Sequence, residues 1–373
     1  VLQTSAVNTP RFEKEGLLIE GASTNYFLNS DDPSKWSAFD ANTTRATLTD
    51  GDTKAITMKA TTTDLSPSSW YVARSNGVAV VAGDYLSISA RIKGKYGKCE
   101  LRFVQVSTTL ANVFIDFETG EITNAPSSAD MYATVKKGTD GYTYVTATFK
   151  SPVDATLSGA IVVALPASNI IAPVGTDYYI QTIQFEKMHC ATSYIPTTDS
   201  IATRAAEDCT LQRAGNDNWW NPITIAIDAH CNGLAVSEGT SNSRRGILAY
   251  YPTTTEWAMM FVDISGSNLG KFLVTYGPLN YNASLERVDN GLSHRLVAVS
   301  DTLQNRGYVD GVPSAASTAT SRPTPGNTTA VNSIICLGRG AGSTVPGVRM
   351  LNGHIRNLRI WHQALSAEQI KGL

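Results

Sequence analysis

Disulfide pairs are absent from what this sequence can build with any regularity. Its five cysteines leave an odd thiol, none stands in a C-x-x-C, and His189-Cys190 and His230-Cys231 lack the spacing of metal ligands. We read them as ordinary buried thiols in a chain that needs no cofactor and no metal. Charge is also scarce. Asp, Glu, Lys and Arg make up 17% of the residues, against about 25% in a typical domain, and the net charge is -2. That balance excludes a long-range pull toward nucleic acid or an anionic membrane, and Arg244-Arg245 is read as a solvated loop. Long apolar runs are missing too. The richest, Ala160 to Leu165, is stopped by Pro166, which excludes a membrane-spanning helix. No charged leader precedes an apolar core, and the chain opens on Val1, so removed upstream sequence is expected.

Thr, Ser, Asn and Gly take the place of charge, and period-two alternation takes the place of helical patterning. In Leu86-Ser87-Ile88-Ser89-Ala90-Arg91-Ile92-Lys93 every second residue is apolar, the mark of a half-buried antiparallel strand. Thr143-Val145-Ala147-Phe149, Ile223-Ile225-Ile227 and Phe272-Val274-Tyr276 repeat it. Turn signals separate the runs: Glu118-Thr119-Gly120-Glu121, Thr139-Asp140-Gly141, and Asp310-Gly311 inside Tyr308-Val309-Asp310-Gly311-Val312. The expected fold class is all-β, with two antiparallel, jelly-roll-like β-sandwich domains. One short C-terminal helix is expected where Ser366-Ala367-Glu368-Gln369 has capping-box spacing. Strand-like sequence lapses between Phe185 and Ile223, which places the domains at 1–208 and 209–373.

Motifs for chemistry are few. No G-x-S-x-G elbow, H-E-x-x-H helix or phosphate-binding loop occurs. Asp228, Glu256 and Asp263 are not paired by anything in the sequence as glycosidase carboxylates would be, and no D-x-D-x-D-G loop marks calcium. His354 is read as a surface residue, and Trp361 as packing near the terminal helix. Sugar recognition would leave aromatic faces beside amides. Trp219 and Trp220, within Asn216-Asp217-Asn218-Trp219-Trp220-Asn221, and Tyr250, Tyr251 and Trp257 are therefore the candidate carbohydrate-binding residues, against the bland reading that such rings pack the core.

Two longer segments carry a resemblance. Pro10-Arg11-Phe12-Glu13, Gly16-Leu17-Leu18-Ile19-Glu20-Gly21 and Thr24-Asn25 resemble the opening of a sandwich module found in bacteriophage tail-fibre and tail-associated proteins. Gln184-Phe185-Glu186 and Ala191-Thr192-Ser193-Tyr194-Ile195-Pro196-Thr197-Thr198 through Thr203-Arg204-Ala205-Ala206 resemble its close. The family has Gly-Ala before that Gln and Leu after it, where this chain has Thr182-Ile183 and Phe185. Tyr308-Val309-Asp310-Gly311 and Leu351-Asn352-Gly353-His354-Ile355-Arg356-Asn357-Leu358-Arg359-Ile360-Trp361 resemble the laminin-G-like, concanavalin A-like fold. The Ile355 to Leu358 step of three there predicts a bulge.

The resemblance implies a receptor-binding segment of a virion tail fibre that attaches, without catalysis, to a bacterial surface polysaccharide or another host receptor. It implies other virion proteins as partners, a homotrimer as the family's usual assembly although no heptads enforce one here, and a place on the virion's external surface. Other readings are a polysaccharide-depolymerising tailspike fragment, a structural or decoration protein of the virion, and a cellular laminin-G-type adhesion protein. The sequons Asn42-Thr43-Thr44 and Asn327-Thr328-Thr329 suit the last.

Overall fold

The computed structural model describes residues 9–36, 43–50, 53–60, 70–94, 97–117, 119–123, 131–165, 177–211, 222–233, 244–251, 258–263, 268–276, 282–301, 304–318, 334–339 and 350–373. Among these the architecture is antiparallel β throughout, with one short α-helix, Ala367–Lys371. Two compact units form: Ser23–Arg204, and Ala205–Leu373 together with residues 9–22.

In the first unit two six-stranded sheets enclose one core. The alternating strand Tyr85–Lys93 sits mid-sheet between Thr143–Lys150 and Asp177–Glu186. Its Leu86, Ile88, Ala90 and Ile92 face Leu101 and Phe103 of the Lys98–Gln105 strand in the other sheet. On Asp177–Glu186 the residues inward after Tyr178 are Ile180, Ile183 and Phe185. The step of three between the first two is a bulge at Thr182, whose φ is 53° and where the register slips. The bulge turns Gln184 and Glu186 to the outer face, where the 191–198 segment buries both.

That segment is held by a closed hydrogen-bond set. The Gln184 side chain donates to the Thr192 carbonyl at 3.1 Å and accepts the Ile195 N–H at 2.6 Å. Asn25 donates to the Ile195 carbonyl at 2.8 Å and accepts the N–H groups of Phe27 and Phe185 at 3.0 and 3.1 Å. Thr197 and Ser30 bond one another. The Thr24-Asn25 and Gln184-to-Thr198 motifs are thus two halves of one clasp, fully satisfied inside the fold.

In the second unit an eight-stranded sheet packs on a six-stranded one. Along the first the order begins Phe12–Glu13, Gly16–Ile19, Gly353–Trp361, Ile223–Cys231, Ser293–Ser300, Gln304–Val309. Ile223, Ile225, Ile227, Ala229 and Cys231 enter the core, and Thr224, Ala226, Asp228 and His230 therefore face outward. The Pro10-to-Gly21 motif, read in the sequence as part of 1–208, is built into this sheet. Leu17, Leu18 and Ile19 pair with Ile355, His354 and Gly353, because the closing strand would otherwise present an open edge. The expected bulge is present. Asn357 has φ 55°, and the register slips opposite it between Ala226 and Asp228. Asp310 and Gly311, at φ 50° and 81°, form the two-residue turn joining Val309 to Val312.

The helix has the capping box its sequence predicted: Ser366 accepts from the Gln369 N–H while the Gln369 side chain reaches back. Ile370 and Leu365 cover Ala226, Val297, Val299 and Tyr308 on the outer face, and Trp361 packs there as expected. None of the five cysteines is in a disulfide, and four of them are buried. Burial pushes the Cys231 thiol up to about 11, which makes it a poor nucleophile.

Candidate functional site

Beside the helix, the outer face of the eight-stranded sheet opens into a cleft of ≈ 610 Å³. Three strands distant in sequence supply its polar floor. Asp228 comes from Ile223–Cys231, Arg295 from Ser293–Ser300, and Arg356 from Gly353–Trp361, whose Asn357 bonds Asp228 without lining the cleft. Arg295 is Asp228's register partner and so is Arg356 on the other side, so both guanidinium groups fall beside the carboxylate. The bulge supplies the third partner by re-aiming Asn357.

Arg295 Nε donates to Asp228 Oδ1 at 2.9 Å, and Asn357 Nδ2 donates to Oδ2 at 2.7 Å. Arg356 Nε lies 3.5 Å from the same oxygen. The Asp228 side chain is 8% exposed, those of Arg295 and Arg356 33% and 45%. Burial would push the Asp228 carboxyl up. The hydrogen bonds from Arg295 and Asn357 and the charges of Arg295 and Arg356 outweigh it, and the carboxyl is held below the ordinary aspartate range. The same contact raises Arg295.

The rim comes from the hairpin turn and the helix. Asp310 accepts the Arg295 N–H at 2.8 Å, and its other oxygen lies 2.7 Å from His294 Nδ1. His294 Nε2 is 2.9 Å from Asn290 Oδ1, so the ring is held at both nitrogens. Lys371 adds an exposed ammonium from the helix. Arg295, Arg356 and Lys371 outnumber Asp228 and Asp310, and the exposed guanidinium edges can donate to hydroxyl or carboxylate oxygens.

Residues 214–371 match the concanavalin A-like lectin/glucanases superfamily. All the residues lining the cleft except Leu373 lie inside the matched span. No curated protein sequence matches the chain. Among solved structures the chain is similar to domain 4 of a GH43 extracellular arabinanase from Geobacillus stearothermophilus, in complex with arabinotriose. The identity is 18% and the TM-score 0.30, over 41% of this chain and 66% of that one. It is similar to the CBM40 of a Ruminococcus gnavus sialidase bound to α2,3-sialyllactose, at 11% identity and TM-score 0.31, over 44% and 95%. It is also similar to domains LG4-5 of the mouse laminin α1 chain, at 11% identity and TM-score 0.30, over 97% and 95%. No residue here takes a role from these likenesses.

Of the aromatic candidates, Tyr250 departs from the expectation. Tyr250 is 1% exposed and packs in the core of the lectin-like unit, so its ring has no face to offer a sugar. It alternates inward with Leu248 on a strand paired on both edges. Tyr251 pairs with Ile334 at the end of that strand. Trp219, Trp220 and Trp257, with Glu256, lie outside the described residues. Two further readings are corrected. Arg245 is not in a solvated loop. It begins the Arg244–Tyr251 strand, is 2% exposed, and its Nη1 is 3.3 and 3.4 Å from the Asn232 and Gly233 carbonyls. His354 is not a surface residue, being 6% exposed, because the Gly16–Ile19 strand covers its edge.

Sequence reasoning named Asp228 but none of its partners. Arg295 and Asn357 lie 67 and 129 residues away from it, and only pairing register joins them. The signal that existed was the predicted bulge, which places Asn357 at an exceptional backbone position.

Proposed function

We propose that this chain is a non-enzymatic attachment protein whose lectin-like unit binds a glycan in the cleft floored by Asp228, Arg295 and Arg356. The observation that carries the reading is this cluster, inside the span that matches a lectin and glucanase superfamily. Half-exposed guanidinium groups braced from behind by a buried carboxylate and Asn357 are pre-organised donors, so little side-chain entropy is lost when a ligand accepts from them. Three cations against two carboxylates favour sugars bearing carboxylate groups over neutral ones. That the glycan is a bacterial surface polysaccharide, and the chain a segment of a virion tail fibre, rests on the resemblance of the 10–25 and 184–206 motifs.

The test is binding of the whole chain to arrays of acidic and neutral bacterial polysaccharides, with a parallel assay for released reducing ends. Binding without release is expected. Arg356→Ala should weaken it by about 1–3 kcal/mol while the melting temperature stays within a degree or two. Release of oligosaccharide would favour the depolymerase reading. Equal binding by wild type and variant would remove the cleft from the account.

A further inference from the structure

At the N-terminal edge of the eight-stranded sheet, a second set of titratable side chains converges away from the cleft. Glu13 and Glu15 flank the turn between Phe12–Glu13 and Gly16–Ile19, and His354 stands on the closing strand beside them. His354 Nε2 lies 3.0 Å from Glu13 Oε2. One ligand atom from each of Glu13, Glu15 and His354 falls within 4.8 Å of the other two.

We propose that Glu13, Glu15 and His354 form a binding site for a divalent transition metal of the zinc class. The imidazole is buried, at 6% exposure, and its Nε2 points at the carboxylates. Its Nδ1 has no hydrogen-bond partner among the described residues. The His230 ring packs edge-on at 5.8 Å and restrains its orientation. Two carboxylates this close repel one another, and a cation between them relieves that repulsion.

Zinc ligated by nitrogen and oxygen sits about 2.0–2.2 Å from each ligand, which puts ligands about 3–4 Å apart. Rotation of the two glutamates, one exposed and one half-buried, brings the set to that spacing. The imidazole selects against calcium and magnesium, which take oxygen ligands. Three protein ligands leave a coordination position open. A bound metal would join residues 341 apart in sequence and fasten the N-terminal hairpin to the closing strand.

The experiment uses the full chain stripped by chelator and titrated calorimetrically with Zn²⁺, with Co²⁺ absorption as a second reading. One metal per chain is expected, with a cobalt spectrum indicating nitrogen ligation and a melting temperature that rises with zinc. Glu13→Gln with Glu15→Gln should weaken binding at least tenfold and abolish the thermal shift, and His354→Gln should do the same. The paired glutamine variant keeps the test decisive if His354→Gln disturbs folding. Zinc affinity unchanged within twofold in the paired variant would overturn the site. So would calcium binding in place of zinc, or no zinc binding at millimolar concentration.

Discussion

In the first unit the buried polar side chains Asn25, Gln184, Glu186, Thr192 and Thr197 bond one another and the backbone of the 191–198 segment. In the second unit, Asp228, Arg295 and Arg356 on the eight-stranded sheet's outer face are ion-paired, and the two arginines keep part of their surface in solvent. Both sets are partnered, but to different ends. A closed set of mostly neutral bonds has no donor left to offer and fixes a chain path. A buried carboxylate bracing half-exposed cations leaves donors aimed outward, which is the form a recognition surface takes. On the function proposed above, the first unit is frame and the second is the part that meets a ligand.

The sharpest way to break this comparison is to unfold one unit alone. Phe185→Ala in the first core and Phe272→Ala in the second, residues 0% and 1% exposed, should each cost about 3–5 kcal/mol. Calorimetry should show each variant lowering one transition and leaving the other in place. A joint shift of both would mean that the units are one cooperative body. Next in size, Asn25→Ala removes the partner of the Phe27 and Phe185 N–H groups and of the Ile195 carbonyl. A loss of about 3 kcal/mol is expected in the first transition, with faster proteolysis in the 191–198 segment and unchanged glycan binding.

Acid separates the two networks by sign. Burial raises the Glu186 carboxyl above its ordinary 4.5, against hydrogen bonds from Ser23 and Thr192. Its stabilising contribution is therefore full below 4.5 and lost as pH rises through the higher folded value. Asp228 is held below its ordinary 3.8, so its contribution is present above 3.8 and lost as pH falls through the lower folded value. Glu186→Gln should flatten the first transition's decline on the alkaline side. Asp228→Asn should flatten the second's decline in acid, as melting curves across pH would show. The smallest effect concerns the cleft's rim. Ser366→Ala removes the helix cap and should cost about 1 kcal/mol, with a slight loss of glycan affinity because Lys371 is less firmly held.

The fold was legible where a local rule and a tertiary need coincide. The alternation through Ile88 and Ile225, the Asp310-Gly311 turn, the capping box and the Ile355-to-Leu358 bulge each follow from backbone geometry that neighbouring residues already determine. The site was less legible because burial is settled by what packs across a strand. Tyr250 follows the same alternation as Leu248, yet beside Tyr251 and the polar run after it the ring passes for a loop aromatic. His354 lies in a strand with two arginines following it, Arg356 and Arg359, and only the pairing of Leu18 against it explains its burial. The Asp228 cluster depends on strands whose adjacency is set by topology, and no spacing in the chain encodes that.

The second unit is assembled from both ends of the described chain. Leu17 to Ile19 are synthesised before their sheet partners at 353–355, which follow some three hundred residues later. At about 5–20 residues per second, the hairpin waits tens of seconds while the whole first unit is made and can fold. During that interval the Leu17-Leu18-Ile19 edge is an unpaired apolar strand on a ribosome-bound chain. A gene fragment beginning at residue 205 would meet the converse difficulty. It would carry a closing strand with no neighbour on one side, and would be expected to associate through that edge until the N-terminal hairpin was supplied in trans.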